Sequence, residues 1–524
     1  MKKKEGLEKS NVVEEGSFSD ITQEIGRGGS IAFGGLLLGR FLQVLLHILI
    51  GRVLGPFHYG LYALGLSIMG VIRSIAGLGL NQGIVRFCSM YKGEGDFARL
   101  KGVFLSALTI CLVSSILMAT GLFLLSNTIA VQFFHNPKLV WILRIFSLAL
   151  PFYVLMNITA SFARAFKDIV RQQFIENIFH PLSNLIVVGF AFLIGLRLYG
   201  AVGGFLVSGI LSAIIGLYIA KKLLPELCHS NFETKYEIKK LIFFGFPLIF
   251  VGLSYFLMIN IDRIMLGFFT NAKEVGMYTA ASVVAVQLLI IHNALITIFA
   301  PMVSDLFNRN LLSELNRLYK SVTRWDLLIS LIGFIIISLF SHELLGLYGE
   351  QFVEASNVLI LLLVAYVIST AAGPTGTLLQ MIGRQYLELL NASILIVSNI
   401  FLNALLIPLY GMIGAAMATI FAFFLLNIIQ LIEIFLILKI VPFSSAYFYQ
   451  GLPLVALSAI ANTLWIKKSF IFYKFVGVGV VLVITAAILF LTKTEEDKMI
   501  LTVLNEWRFK KRVNRQDVDN PLCS

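Results

Sequence analysis

The sequence predicts an all-α polytopic membrane protein, and two observations carry that prediction. Of 524 residues, 58% are hydrophobic and only 13% charged, whereas roughly a quarter of the residues of a soluble domain carry charge. The apolar residues also come in runs of twenty or more, separated by short polar links. About 20 residues is the length a helix needs to cross a hydrocarbon layer of about 30 Å. The first run begins only after a polar stretch ending near Ser30, so it does not read as a cleavable signal peptide.

Fourteen spans follow from these runs: 31–54, 59–86, 102–126, 139–163, 174–194, 200–220, 241–269, 276–300, 325–341, 357–381, 387–407, 411–438, 450–466 and 475–492. Lys and Arg set the orientation, because they gather on the cytoplasmic side. With the N-terminus inside, cytoplasmic segments hold 29 of the 41 bases and outer links only 7, counting Arg52 at the outer end of the first span; Arg40, Arg73, Arg86, Arg144 and Arg263 lie deeper within spans. Both termini are therefore expected in the cytoplasm. The net charge of +12 reflects topology and anionic lipid, not nucleic acid. The C-terminal stretch NEWRFKKRVNR is either an interfacial helix or a solvated tail.

The stretch Ile31–Leu66 organises the chain. An apolar helix breaks at Gly55-Pro56 and restarts at once, which predicts a helical hairpin inside the membrane. Arg40, Gln43 and His47 recur at intervals of three and four residues, on one helix face. Arg40 lies ~14 Å along the helix from Ile31, near mid-depth. A guanidinium there is costly unless it faces protein, water or an anionic ligand.

The sequence also repeats. At an offset of 216, Gly29 matches Gly245, His47 matches Arg263, Gly51 matches Gly267, Gly60 matches Gly276 and Tyr62 matches Tyr278. At an offset of 211, Leu198-Tyr199-Gly200 matches Leu409-Tyr410-Gly411, and Gly203 matches Gly414. The unit is six helices used twice, with two appended, and an even number sets both copies the same way up. The expected domains are a tail (1–30), an N-lobe of TM1–6 (31–220), a cytoplasmic linker (221–240), a C-lobe of TM7–12 (241–438), TM13–14 (450–492) and a tail (493–524).

GRVLGPFHYGLYALG in the first hairpin resembles the opening signature of polysaccharide flippases, within the multidrug/oligosaccharidyl-lipid/polysaccharide exporter superfamily. IDRIMLGFFTNAKEVGMYTAA (261–281) and LYGMIGAAMA (409–418) are similar to that family's seventh- and twelfth-span signatures. The resemblance covers nearly the whole chain. It implies a V-shaped pair of six-helix lobes around a cationic cavity, where a polyprenyl-diphosphate-linked oligosaccharide crosses by alternating access. It also implies membrane lipids and other glycan-assembly proteins as partners, and a cell-membrane location. The closed symmetry of the repeat favours a monomer.

The residues fit that implication. A diphosphate cannot cross hydrocarbon uncompensated, and arginines in a wet cavity replace its hydration with forked, charge-assisted bonds. Arg40 and Arg73, both near mid-depth, are read as lining the cavity or, alternatively, as tying helices together. Asp262 and Arg263, with Asn260 beside them, line the cavity, snorkel, or tie the lobes. Gln43 and His47 share the face of Arg40. His180 and His292 could carry a coupling proton or be packed histidines bonded to carbonyls. Gly373-Pro374-Thr375-Gly376 interrupts span 10 as a moving hinge or a packed kink.

Arg144, Glu176, Glu388 and Glu433 lie near helix ends and read as snorkelling. The four cysteines (Cys88, Cys111, Cys228, Cys523) show no metal or redox spacing. No metal, cofactor or catalytic motif is present. Three functions remain: a lipid-linked oligosaccharide flippase, an ion-coupled exporter of drugs or metabolites, and a membrane glycan enzyme. An exporter of cations wants buried acids, and the mid-membrane charges are mostly arginine. The outer links are too short to hold the acceptor and base of a glycan enzyme.

Overall fold

A computed structural model describes residues 2–224, 234–465 and 471–491, with the backbone alone over 2–33. The C-terminal tail and residues 225–233 of the linker at 221–240 lie outside the described residues, as does the candidate interfacial helix. The described backbone is helical nearly throughout. Among the described residues, ten helices are long and apolar enough to cross a membrane, or eleven if a helix bent by 48° near Ser254 counts as one span.

The chain divides into two compact units. Unit 1 comprises residues 1–284, 345–355 and 400–415. It is built from α1 (Lys2–Ala76), α2 (Leu80–Glu94), α3 (Phe97–Asn127), α4 (Lys138–Ala165), α5 (Ile169–Gln173), α6 (His180–Leu193), α7 (Arg197–Leu223), α8 (Ile238–Phe269) and α9 (Ala272–Ala285). A π-helical segment, Phe174–Phe179, joins α5 to α6. Pro181 removes a helix donor just beyond it, and a widened turn is one way a helix absorbs such a loss. Apolar side chains such as Leu124, Leu193 and Phe243 stand 72%, 87% and 86% exposed, as lipid-facing surface requires.

Within α1 the chain turns back on itself. Gly55 takes φ 71° and ψ 171°, a conformation outside the helix that glycine reaches without a Cβ penalty. His47 Nδ1 and Tyr59 Oη stand 2.9 Å apart, twelve residues apart in sequence. An unbroken helix would separate those positions by ~18 Å. The break is therefore a hairpin turn, with arms 34–54 and 56–76. The second arm is shorter than the sequence suggests: instead of running to Arg86 it ends at Ala76, and a turn at 77–79, with Gly79 at φ 65°, starts α2.

The second arm crosses α9 with backbone against backbone. A methyl on Gly60 would collide with the Ala272 carbonyl oxygen, and one on Gly276 with the Pro56 carbonyl oxygen. These are repeat mates: Pro56 with Ala272 and Gly60 with Gly276 are both 216 apart. The reciprocal contact is what a local two-fold axis through the crossing produces.

At the other end of the second arm, α2 and the start of α8 are tied by polar groups. Tyr91 donates its hydroxyl to the Glu237 carboxylate, Lys240 Nζ donates to Tyr91 Oη at 2.8 Å, and Lys240 pairs with Glu237 at 3.2 Å. Burial works against the charge on Glu237, but the bonds from Tyr91 and Lys240 outweigh it and hold the carboxyl below its usual range.

Unit 2 comprises residues 285–344, 356–399 and 416–524. It contains α10 (Leu289–Asn308), α11 (Leu312–Leu339), α12 (Ser341–Gly346), α13 (Ser356–Ala371), α14 (Thr375–Met381), most of α15 (Gln385–Tyr410), α16 (Met412–Leu438), α17 (Ser445–Trp465) and α18 (Ile471–Leu491). One apolar core gathers Phe299, Val303, Tyr319, Leu378 and Ile434. Another joins Leu327 and Leu331 to Tyr447 and Leu454. Lys474 of α18, 1% exposed, is held by both Glu343 oxygens at 2.7 and 2.8 Å.

Two predictions follow from these contacts. Gly60→Ala or Gly276→Ala forces two backbones apart, and overpacking of this kind costs about 1–3 kcal/mol. Either should lower the melting temperature in detergent, while Gly93→Ala, with nothing within 4 Å, should not. A carboxyl lowered by folding stabilises above its unfolded pKa and loses that contribution as pH falls through its folded value. Glu237→Gln should therefore lower the melting temperature at pH 7, and the difference from the parent should shrink below about pH 4.

Candidate functional site

Unit 1 holds an open cleft with an empty volume of about 1030 Å³ where the second arm of α1, α2, α4 and α8 meet. Arg73, Ser74, Asn81, Gln82 and Asn157 supply its polar wall, and Leu248 and Val251 of α8 much of the apolar one. No Asp or Glu lines it. The turn at 77–79 builds this site: by ending the arm it brings Asn81 and Gln82 beside Arg73 instead of more than two turns further along one helix.

Arg73 is half-buried, and its guanidinium makes no hydrogen bond or ion pair among the described residues. His180 and Tyr153 lie within its electrostatic reach. His180 sits edge-on to Tyr153 with ring centroids 5.0 Å apart, and its Nδ1 is buried with no hydrogen-bond partner. Two residues that the sequence offered separately, Arg73 and His180, are thus brought together. Asn157, which fits a glycosylation pattern in the sequence, is a cleft residue.

The first-arm face is arranged differently. Arg40 is half-buried and Gln43 exposed, and neither has a hydrogen-bond partner among the described residues. His47 is tied to Tyr59 and lies within electrostatic reach of Arg263, its repeat mate. Arg263 donates to Asn260 Oδ1 at 3.1 Å and Ser282 Oγ at 2.7 Å, and its Nε is buried without a partner. Asn260 also donates to the Phe256 carbonyl. Asp262 points elsewhere: it accepts from Tyr278 Oη at 2.5 Å and Asn403 Nδ2 at 2.7 Å. Neighbouring helix positions diverge by about 100°, so separate partners are what the geometry demands.

In unit 2, His292 Nδ1 stands 2.6 Å from Asp326 Oδ2. Asp326 and Arg324 are each 1% exposed. The sequence reading placed Arg324 in a polar link and Asp326 at a span edge, because α11 was expected to begin at 325. It begins at Leu312, thirteen residues earlier, which carries both charges into the helix interior. The signal was present: apolar residues recur at helical spacing through LSELNRLYKSVTRWDLL.

Gly373 takes φ 74°, and α13 stops before Gly373-Pro374 with α14 starting at Thr375. A methyl on Gly373 would strike Thr323, and one on Gly376 would lie 2.6 Å from a Glu388 oxygen. The acids expected to snorkel are instead bonded to neighbours. Glu388 accepts from Gln430 Nε2 at 2.9 Å, whose Oε1 accepts from Thr375 at 2.5 Å. Glu433 accepts from Asn391 at 2.7 Å, and Glu176 from Gln172 at 3.1 Å. Arg144 donates to Ser126 and stacks on Phe123 and Trp141. Among the described residues no group of three or more His, Cys, Asp or Glu is placed to hold a metal.

Comparison with known proteins gives this arrangement a context. Residues 25–307 match the family described as polysaccharide biosynthesis protein. The chain is 31% identical over 164 residues to a probable low-salt glycan biosynthesis flippase, Agl15, of Haloferax volcanii, covering 31% of this chain and 34% of that protein. It is 22% identical to a putative O-antigen transporter of Shigella flexneri, over 70% of this chain and 88% of that one. The chain thus spans about a third of the length of the first relative and most of the second. Among solved structures, the lipid II flippase MurJ in an inward closed conformation superposes with a TM-score of 0.69 at 17% identity, over 88% of this chain and 98% of that one. An inward-facing multidrug-resistance MATE transporter gives 0.62 at 16% identity, over 83% and 99%. At these identities the structures establish the fold, that of two transporter groups.

The partners of each charge predict its effect on stability. Asp262→Ala removes the acceptor of two buried donors, a loss of about 1–3 kcal/mol, and should lower the melting temperature of the purified protein. Arg73→Ala removes a side chain that holds nothing in place and should leave that temperature within about a degree of the parent, since substitutions away from such ties usually stay within ±0.5 kcal/mol.

Proposed function

This chain belongs to the polysaccharide biosynthesis protein family, whose pattern its residues 25–307 match, and on that premise we propose that it is a flippase for polyprenyl-diphosphate-linked oligosaccharides, moving them across the cytoplasmic membrane by alternating access. The observation that carries the reading is the cleft around Arg73: a guanidinium within the membrane, free of any carboxylate partner, beside three carboxamides and no acid. A diphosphate supplies the missing counter-charge. Arg73 offers it two parallel N–H donors, and the amides of Asn81, Gln82 and Asn157 offer donors and acceptors suited to phosphate oxygens and sugar hydroxyls. The substrate is moved unchanged, so the site needs geometry and charge but no catalytic group.

Arg40, the other intramembrane arginine read as lining the cavity, is also unbonded and acts as a second station for the diphosphate, with Gln43 on the same face. Arg263, Asn260 and His47 form the polar wall around the crossing of the second arm with α9. The His292–Asp326 pair carries the coupling proton, a buried acid and base in hydrogen-bond contact. His180 adjusts the field at Arg73. The break at Gly373-Pro374-Gly376 acts as the hinge of its helix. The expected two-lobe division, 31–220 and 241–438, is the moving pair. The protein works as a monomer alongside other glycan-assembly proteins, with both termini in the cytoplasm. A multidrug exporter on the same fold would be the alternative, but a cleft for organic cations wants acids, and the Arg73 cleft has none.

Two measurements test this. Arg73→Ala and Arg40→Ala should each leave folded protein in the membrane yet stop glycan export, with lipid-linked precursor accumulating on the cytoplasmic side. Lys at either position should restore export only partly, because it keeps the charge and loses the two-pronged geometry. Unchanged affinity of both purified Ala variants for a short-chain polyprenyl diphosphate would sink the binding role. For topology, reporters fused after Lys235 or Leu312 should read cytoplasmic and one near Gly349 should read outside; a swapped or mixed pattern would overturn the orientation.

A further inference from the structure

A second cavity in unit 1 lies far from the Arg73 cleft. It is a groove with an empty volume of about 960 Å³ between the α1 hairpin turn and the first turns of α4 and α7. Its polar groups are His58, Lys138 and Arg197, its floor is valine, leucine and isoleucine, and Trp141 and Tyr199 flank it. No acid lines it, and neither Lys138 nor Arg197 has a carboxylate partner among the described residues. Trp141 and Tyr199 stand 59% and 66% exposed, an amphipathic pair of the kind that gathers at the level of lipid headgroups. Leu193, Ile194 and Leu196, just before α7, are all exposed as well.

We propose that this groove binds an anionic phospholipid of the surrounding bilayer, the headgroup phosphate held by His58, Lys138 and Arg197 and an acyl chain lying on the apolar floor. Charge complementarity argues for the occupant. Bases are scarce in the links at this end of the helices, yet two of them, from separate links, converge on one groove with an apolar base. Position argues that it is a bilayer lipid and not the transported one. Lys138 and Asn157 are nineteen residues apart on α4, ~28 Å along the helix, so groove and cleft serve opposite leaflets. The inference stands independently of the transport reading.

The test uses purified full-length protein and native mass spectrometry with three probes: phosphatidylglycerol, the zwitterionic phosphatidylcholine, and farnesyl diphosphate. Phosphatidylglycerol adducts should survive activation better than phosphatidylcholine adducts. Lys138→Ala/Arg197→Ala should reduce the retained phosphatidylglycerol about thirtyfold, in line with the loss of two headgroup contacts, and Arg73→Ala should leave it unchanged. If the Ala pair melts early, Lys138→Gln/Arg197→Gln keeps more of the side-chain volume and should show the same loss. Equal retention of the two phospholipids overturns the proposal, as does a double variant that retains phosphatidylglycerol like the parent. Displacement of phosphatidylglycerol by farnesyl diphosphate that depends on Lys138 and Arg197 also overturns it, by assigning the groove to the transported lipid.

Discussion

A charge in an apolar layer must be compensated, and that constraint sorts the intramembrane charges of this protein. Uncompensated, such a group is expensive by several kcal/mol even on permissive scales. Asp262 meets the constraint with a tyrosine and an asparagine, Arg263 with an asparagine and a serine, and Arg144 with a serine and two aromatic faces. Arg86 lies over the Phe244 ring at 4.8 Å. Arg73 meets it with no acid at all, only an open polar cleft. Its charge faces an open gap lined by amides instead of a fixed counter-charge.

The glycine crossing sets a second constraint. Two repeat-related helices touch at Gly60 and Gly276 with no side chain between them, so the contact is close but contains nothing that locks. Backbone packing through small residues depends on shape and can separate without breaking an ion pair. His47 and Arg263, also repeat mates, lie within electrostatic reach of each other nearby, and there the contact is polar.

Unit 2 concentrates its polar groups in networks. His292 with Asp326, Glu388 with Gln430 and Thr375, Glu433 with Asn391, and Lys474 with Glu343 are each joined by hydrogen bonds, although Asp326 Oδ1 and Asn391 Oδ1 find no partner among the described residues. Such networks specify one arrangement of helices because a half-satisfied alternative leaves buried polar atoms unpaired. The break at Gly373-Pro374 adjoins one of them, since the Glu388 carboxylate packs against Gly376.

The membrane class, the helical runs, the hairpin at Gly55-Pro56 and the repeat were legible in the sequence because each is a local or periodic property. Length of apolar run, a Gly-Pro break and an offset between glycines need no third dimension. Arg73 was legible too, since an arginine deep in an apolar run stands out against its neighbours. Tertiary structure alone decided which charges are tied. Asn403 reaches Asp262 from 141 residues away, and nothing local marks one as the other's partner. It also ended the second arm at Ala76, where the run of apolar residues carries on past a turn, and so created the cleft. It moved the start of α11 to Leu312, which buried Arg324 and Asp326. Composition says that a charge lies within the membrane; only packing says whether it is compensated, because its partners come from helices far away in sequence.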